Sequence, residues 1–178
     1  MRPLLCFAAV LLGLFAATPA HAQKNQREPL TDAESQQIAE AGIDPNARVK
    51  LYIKFIDEHV DVIKGLTNRI QSEARSHRLD KALQDFTALL DELDSNLDTY
   101  SDRHADIRLA LKPLSEAAPR WLGIVRALAG EPEFDESRKE AIEDCDEMAD
   151  EAKRLLSEEN EYFKQHPDEK GQDRAEPK

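Results

Sequence analysis

Residues 79–128 read LDKALQDFTALLDELDSNLDTYSDRHADIRLALKPLSEAAPRWLGIVRAL. In this stretch Leu79, Phe86, Leu93, Tyr100, Ile107, Leu114, Trp121 and Leu128 recur every seven residues without a slip. Ala82, Leu83, Leu89, Leu90, Leu97, Ala110, Leu111, Ala117, Ala118, Ile124 and Val125 fill the neighbouring stripe positions. A heptad pattern of this kind marks helices that each bury one apolar stripe against a partner. Two chain paths satisfy it. The segment is either one long helix or two helices separated near Ser101-Asp102. Ser and Asp are good helix N-caps, although neither Gly nor Pro marks a boundary there. Pro113 and Pro119 each remove one backbone donor in the second half, where bends are expected. The break is the favoured reading. It yields four long helices of comparable length, roughly 33–48 Å each at about 1.5 Å per residue. The alternative is three long helices with a kinked central one.

Upstream, Thr31-Asp32-Ala33-Glu34 has the form of a capping box. It predicts a short helix from Asp32 that stops at Gly42, a residue suited to the left-handed position after a helix end. Asp44 as N-cap and Pro45 at the first helical position start the next helix. The first long helix is expected over 45–76, on the face formed by Val49, Tyr52, Ile53, Ile56, His59, Val60, Ile63, Leu66, Ile70 and Ala74. Gly65 inside it predicts a bend or a close helix contact.

Downstream, Gly130-Glu131-Pro132 is a strong stop. The last helix is expected over 135–165, with Ala141, Ile142, Cys145, Met148, Ala149, Ala152, Leu155, Leu156, Tyr162 and Phe163 on its stripe. No alternation of β-branched residues predicts a strand. The fold class is therefore all-α, an antiparallel bundle of long helices preceded by a short N-terminal one. The bundle is expected over 31–166, flanked by disordered segments at 23–30 and 167–178.

The first 22 residues hold Arg2, an apolar run from Leu4 to Ala17, a helix-breaking Thr18-Pro19, and Ala20-His21-Ala22. This is the grammar of a secretory signal peptide cleaved after Ala22. Cys6 precedes the apolar run instead of following it, which argues against a lipoprotein. The apolar run is shorter than the roughly 20 residues a membrane span needs, and no later segment is longer. The expected destination is the periplasm or the extracellular space.

The chain carries 24 Lys and Arg against 36 Asp and Glu, a net charge of −12. Removing the signal, whose only charge is Arg2, makes the remainder one unit more negative. Such a chain repels nucleic-acid phosphates and anionic lipid, so no nucleic-acid partner is expected. Charged residues are 34% of the chain against about 25% in ordinary globular proteins, a mixture that suits helices with narrow apolar stripes.

Few residues offer chemistry. Cys145 is the single cysteine beyond the signal, so it cannot form an internal disulfide. Glu143, Asp144, Asp146 and Glu147 disfavour its thiolate, and its stripe position predicts an inert packed thiol. The residues three before His59, His77, His104 and His166 are Ile56, Ala74, Ser101 and Phe163. None is the Glu that a di-iron bundle requires. His59 on the apolar face reads as a core histidine, and no His-x-x-x-His pair offers zinc ligands. Met148 with a histidine is the weak basis for a haem reading. Trp121 with Tyr52, Tyr100 and Phe86 reads as core packing in preference to a pocket lining.

Residues 131–151 hold eleven acids and two bases. Asp144-x-Asp146 resembles the start of a calcium loop, but Met148 takes the third ligand place and the loop glycine is missing. The run reads first as a solvated helix face and second as a docking face for a basic partner. No catalytic motif and no phosphate-cradling loop is present in a chain with six glycines. The resulting expectation is a non-enzymatic protein without cofactor or metal. It acts in the bacterial envelope by contact with a protein partner, as scaffold, adaptor or holdase-like factor. The alternative is a carrier holding a metal, haem or small apolar molecule between helices. A monomer is expected if the chain turns near Ser101-Asp102, and a homodimer if it does not.

Overall fold

A computed structural model describes residues 29–170, which form five α-helices and no strand. They are α1 (Asp32–Glu40), α2 (Pro45–Thr67), α3 (Glu73–Asp102), α4 (Arg108–Arg126) and α5 (Asp135–Gln165). The signal segment 1–22, residues 23–28 and residues 171–178 lie outside the described residues. Leu30, in the segment expected to be disordered, packs against the core. The expected tail opens with a 3-10 turn at Pro167–Glu169, where the Tyr162 hydroxyl donates to Glu169 at 2.7 Å.

The first helix boundaries follow their local chemistry. Thr31 accepts from the Glu34 amide while Glu34 accepts from the Thr31 amide. Gly42 adopts φ 64°, and Asp44 accepts from the Asn46 and Ala47 amides ahead of Pro45. The next boundary differs from expectation: α2 ends at Thr67, and Ser72 caps α3. The reason is a side chain, Arg75, whose Nε donates to the Leu66 carbonyl at 3.1 Å and closes the end of α2. Ile70 matched the apolar period but stands 92% exposed in the connection. Gly65 has nothing within 4 Å of the place a Cβ would take, so it marks no close contact.

The heptad segment turns, but not by N-capping at Ser101-Asp102. Helix α3 runs through both residues. It stops at His104, which takes φ 53°. The His104 amide donates to the Ser101 carbonyl and the Ala105 amide to the Tyr100 carbonyl, which is a Schellman stop. Every residue of the seven-step series is buried on both sides of this turn. The repeat thus reports two stripes, not one continuous helix. Helix α4 has no side-chain cap of its own. Asn46 of α2 supplies one, accepting from the Ala110 amide at 3.0 Å and donating to the Asp106 carbonyl at 2.7 Å. Helix α4 continues through Pro113 and Pro119, which sit on its less buried side.

Consecutive long helices run in opposite directions, yet they do not all lie side by side. Helix α2 packs on α3 and α4, and α5 packs on α3 and α4; α3 does not pack on α4, nor α2 on α5. Neighbours α2 and α3 are antiparallel, with Tyr52 near one end of α2 bonded to Glu92 far along α3. Neighbours α2 and α4 are parallel, joined start to start by Asn46–Ala110 and further on by Asp57–Trp121. Neighbours α3 and α5 are also parallel, with Ser137 donating to Asp80 near both starts. An antiparallel bundle read from the sequence leaves open which helices lie side by side; α2–α4 and α3–α5 are parallel neighbours. Among the described residues no helix is long and apolar enough to cross a membrane.

Candidate functional site: an acidic groove between α3 and α5

The parallel packing of α3 and α5 sets two rows of carboxylates against each other. On α3 the row is Asp91, Asp94 and Asp98; on α5 it is Asp144, Glu147 and Glu151. Both rows use the same steps of three and four residues, with rises of about 4.5 and 6 Å along the axis. One stretch of the groove is lined by Asp91, Asp94, Asp144 and Glu147 over Leu90 and Met148. The next is lined by Asp94, Asp98, Glu147, Asp150, Glu151 and Arg154. The two helices are thus in register, acid opposite acid.

Like charges on facing helices oppose folding, and the cost is visible at Asp94. Burial, then the charges of Asp98, Glu151, Asp91 and Glu147, push its carboxyl above the usual range. The cation lining the groove, Arg154, is bonded to Glu151 and Glu158 on its own helix. It pairs with Glu151 at the end of the groove that Asp98 also lines. Chemically the groove can attract and order positive charge.

The acidic run singled out from the sequence is divided by the structure. Glu131 leaves it altogether: it accepts from Ser76 at 2.7 Å and from the buried Arg75 at 2.6 Å, bonds that hold its carboxyl below the usual range. Asp135 pairs with Lys139, and Asp146 with Arg126 of α4. Asp144 and Asp146 therefore point to different neighbours, and no calcium loop forms. Of the run, Asp144, Glu147, Asp150 and Glu151 line the groove with α3. The opposing row on α3 was missed from the sequence. Its signal was there: the three-and-four spacing of 91/94/98 reappears at 144/147/151.

Cys145 is fully buried, and burial followed by the Asp144 charge pushes its thiol up to about 12. His59 is half-buried on α2, and Met148 is buried on α5. Those helices do not pack on one another, so this pair is not brought together. His77 lies beside Glu73 at 3.8 Å on the surface. His104 and His166 stack on Tyr162, with ring centroids 4.1 and 4.2 Å from it. Among the described residues no group of three His, Cys, Asp or Glu is placed to hold a metal ion. Trp121, Tyr52, Tyr100 and Phe86 are all core residues. Two carry polar handles that sequence reasoning did not assign. The Trp121 indole donates to Asp57 at 2.6 Å and the Tyr52 hydroxyl to Glu92 at 2.6 Å.

No protein family, curated protein or solved structure matches the chain. The groove is therefore weighed on its own geometry.

Proposed function

We propose that this is an exported, non-enzymatic helical protein that binds a cationic protein partner in the α3–α5 groove. The observation that carries the proposal is the register of Asp91, Asp94 and Asp98 with Asp144, Glu147 and Glu151. A solvated helix face needs acids on one helix. Facing rows raise the cost of folding, and a positively charged partner removes that cost on binding. The signal grammar of residues 1–22 supports export to the periplasm or beyond. The same reading takes α2–α5 as a four-helix bundle closed within one chain. Its support is the near-complete burial of the Leu79-to-Leu128 series without a second copy.

The test compares two variants of equal charge change. One is Asp94→Asn, Asp98→Asn, Glu147→Gln and Glu151→Gln, in the groove. The other is Asp61→Asn, Glu116→Gln, Glu133→Gln and Glu161→Gln, on outer faces. Binding of a fluorescent Lys-rich helical peptide is titrated at low and at moderate salt. The groove variant is expected to lose at least about tenfold in affinity, or about 1.4 kcal/mol, with a shallower salt dependence, while the outer-face variant keeps most of its binding. Equal losses would reduce the effect to net charge and sink the groove as a site.

A further inference from the structure

The end of the molecule where α3 turns into α4 carries an arrangement that neither the groove nor the core explains. Glu159 of α5 is 3% exposed, and its Oε2 has no hydrogen-bond partner. Buried carboxylates are ordinarily paired. The guanidinium within electrostatic reach, Arg108, is already engaged: it donates to Asp106 through Nε and Nη2, both at 2.7 Å, and lies over the Phe163 ring at 4.6 Å. Two carboxylates therefore lie around Arg108, and Asp106 holds it.

Asp106 belongs to the turn itself. Its carbonyl accepts from Asn46, the side chain that also caps α4. Two residues earlier His104 holds its left-handed conformation while stacked on Tyr162 of α5. The charged and titratable groups facing Glu159 are Asp106 and Arg108 from the turn and α4, and Glu158 on its own helix. Tyr100 and Arg103 at the end of α3, and His104 and His166 on the faces of Tyr162, occupy the same end.

We propose that Glu159, Asp106 and Arg108 form a proton-operated latch on the α3–α4 turn. With Glu159 neutral, Arg108 serves Asp106 alone and the turn is held closed against α5. With Glu159 ionised, two anions contend for Arg108, and the segment from His104 to Ala110 loosens. The elevated proton affinity of Glu159, raised to about 7 first by burial and then by the Asp106 charge, places the changeover near neutral pH.

Amide hydrogen exchange on the mature chain tests this, corrected for the intrinsic pH dependence of exchange. The Ala105 and Ala110 amides report the turn, and the Ala152 amide in mid-α5 serves as reference. Between about pH 5.5 and about pH 8.5, protection at Ala105 and Ala110 is expected to fall at least roughly tenfold relative to Ala152. Glu159→Gln, neutral at all pH, should keep the turn protected throughout. Asp106→Asn, which leaves Arg108 to Glu159, should also abolish the step. The double variant His104→Asn and His166→Gln should retain it. An unchanged wild type, a step that survives in Glu159→Gln or Asp106→Asn, or a step lost with the histidines would each overturn the latch.

Discussion

Trp121 of α4 donates its indole N–H to the Oδ1 of Asp57 on α2 at 2.6 Å, tying the largest buried side chain to the neighbouring parallel helix. Arg120 donates to the same carboxylate at 2.8 Å, but from a surface half open to water. The two bonds should differ in weight. Asp57→Ala strands the indole N–H and is expected to cost about 1–3 kcal/mol. Arg120→Ala loses an exposed ion pair and should cost about 0–1 kcal/mol. Urea unfolding of the two variants decides between them, and equal costs would show that the indole bond contributes little.

His104 should behave as a left-handed stop that also stacks. His104→Ala keeps φ 53° without the ring; His104→Gly removes the ring and the steric penalty together. Glycine is therefore expected to be more stable than alanine here by about 1 kcal/mol. Thermal unfolding measures it, and alanine matching glycine would place the stop elsewhere.

Gly65 is an exposed glycine in the last turn of α2 with open space around its Cα. Gly65→Ala should raise stability by about 0.5–1 kcal/mol. A loss on substitution would reveal a contact at this position.

Leu93 and Leu114 share one heptad series and are both fully buried, on opposite sides of the turn. Each alanine variant should cost about 2–5 kcal/mol, independent of protein concentration. Sedimentation at two well-separated concentrations should give the monomer mass at both. A persistent dimer would transfer part of the stripe to an interface.

Stability should fall as pH rises through about 7. The sign follows from Glu159, whose carboxyl titrates near 7 when folded and at 4.5 as a free side chain. The folded state binds the proton more tightly, so the stabilisation is complete below 4.5 and is lost as pH passes 7. Asp94 is displaced in the same direction. Denaturant midpoints across this range should slope downward in wild type and flatten in Glu159→Gln. A wild type whose stability does not fall across neutral pH would contradict the burial of the Glu159 carboxyl with no hydrogen-bond partner at Oε2.

Much of this architecture is local information. The capping box at Thr31, the left-handed Gly42, the Asp44-Pro45 start and the 135–165 span of α5 are all decided within a few residues of chain. Apolar stripes are equally legible, because a 3.6-residue period needs only the helix itself. Where a side chain from elsewhere finishes an element, local reasoning fails. Arg75 closes α2 ahead of the apolar period that Ile70 continues. Asn46 caps α4, whose own first residues offer no capping side chain.

The helical class, most helix limits and the residues of the core are thus written in the order of residues, since periodicity, caps and hydrophobicity are properties of chain neighbours. Which helices lie against which is settled only by packing in three dimensions. The His104 stop sends α4 onto α2 and away from α3, and that placement brings α3 and α5 together as a parallel pair. Only then do acids 53 positions apart, Asp94 and Glu147 among them, face each other across one groove. Their shared field is a sum over distances in space, and distance along the chain carries no record of it.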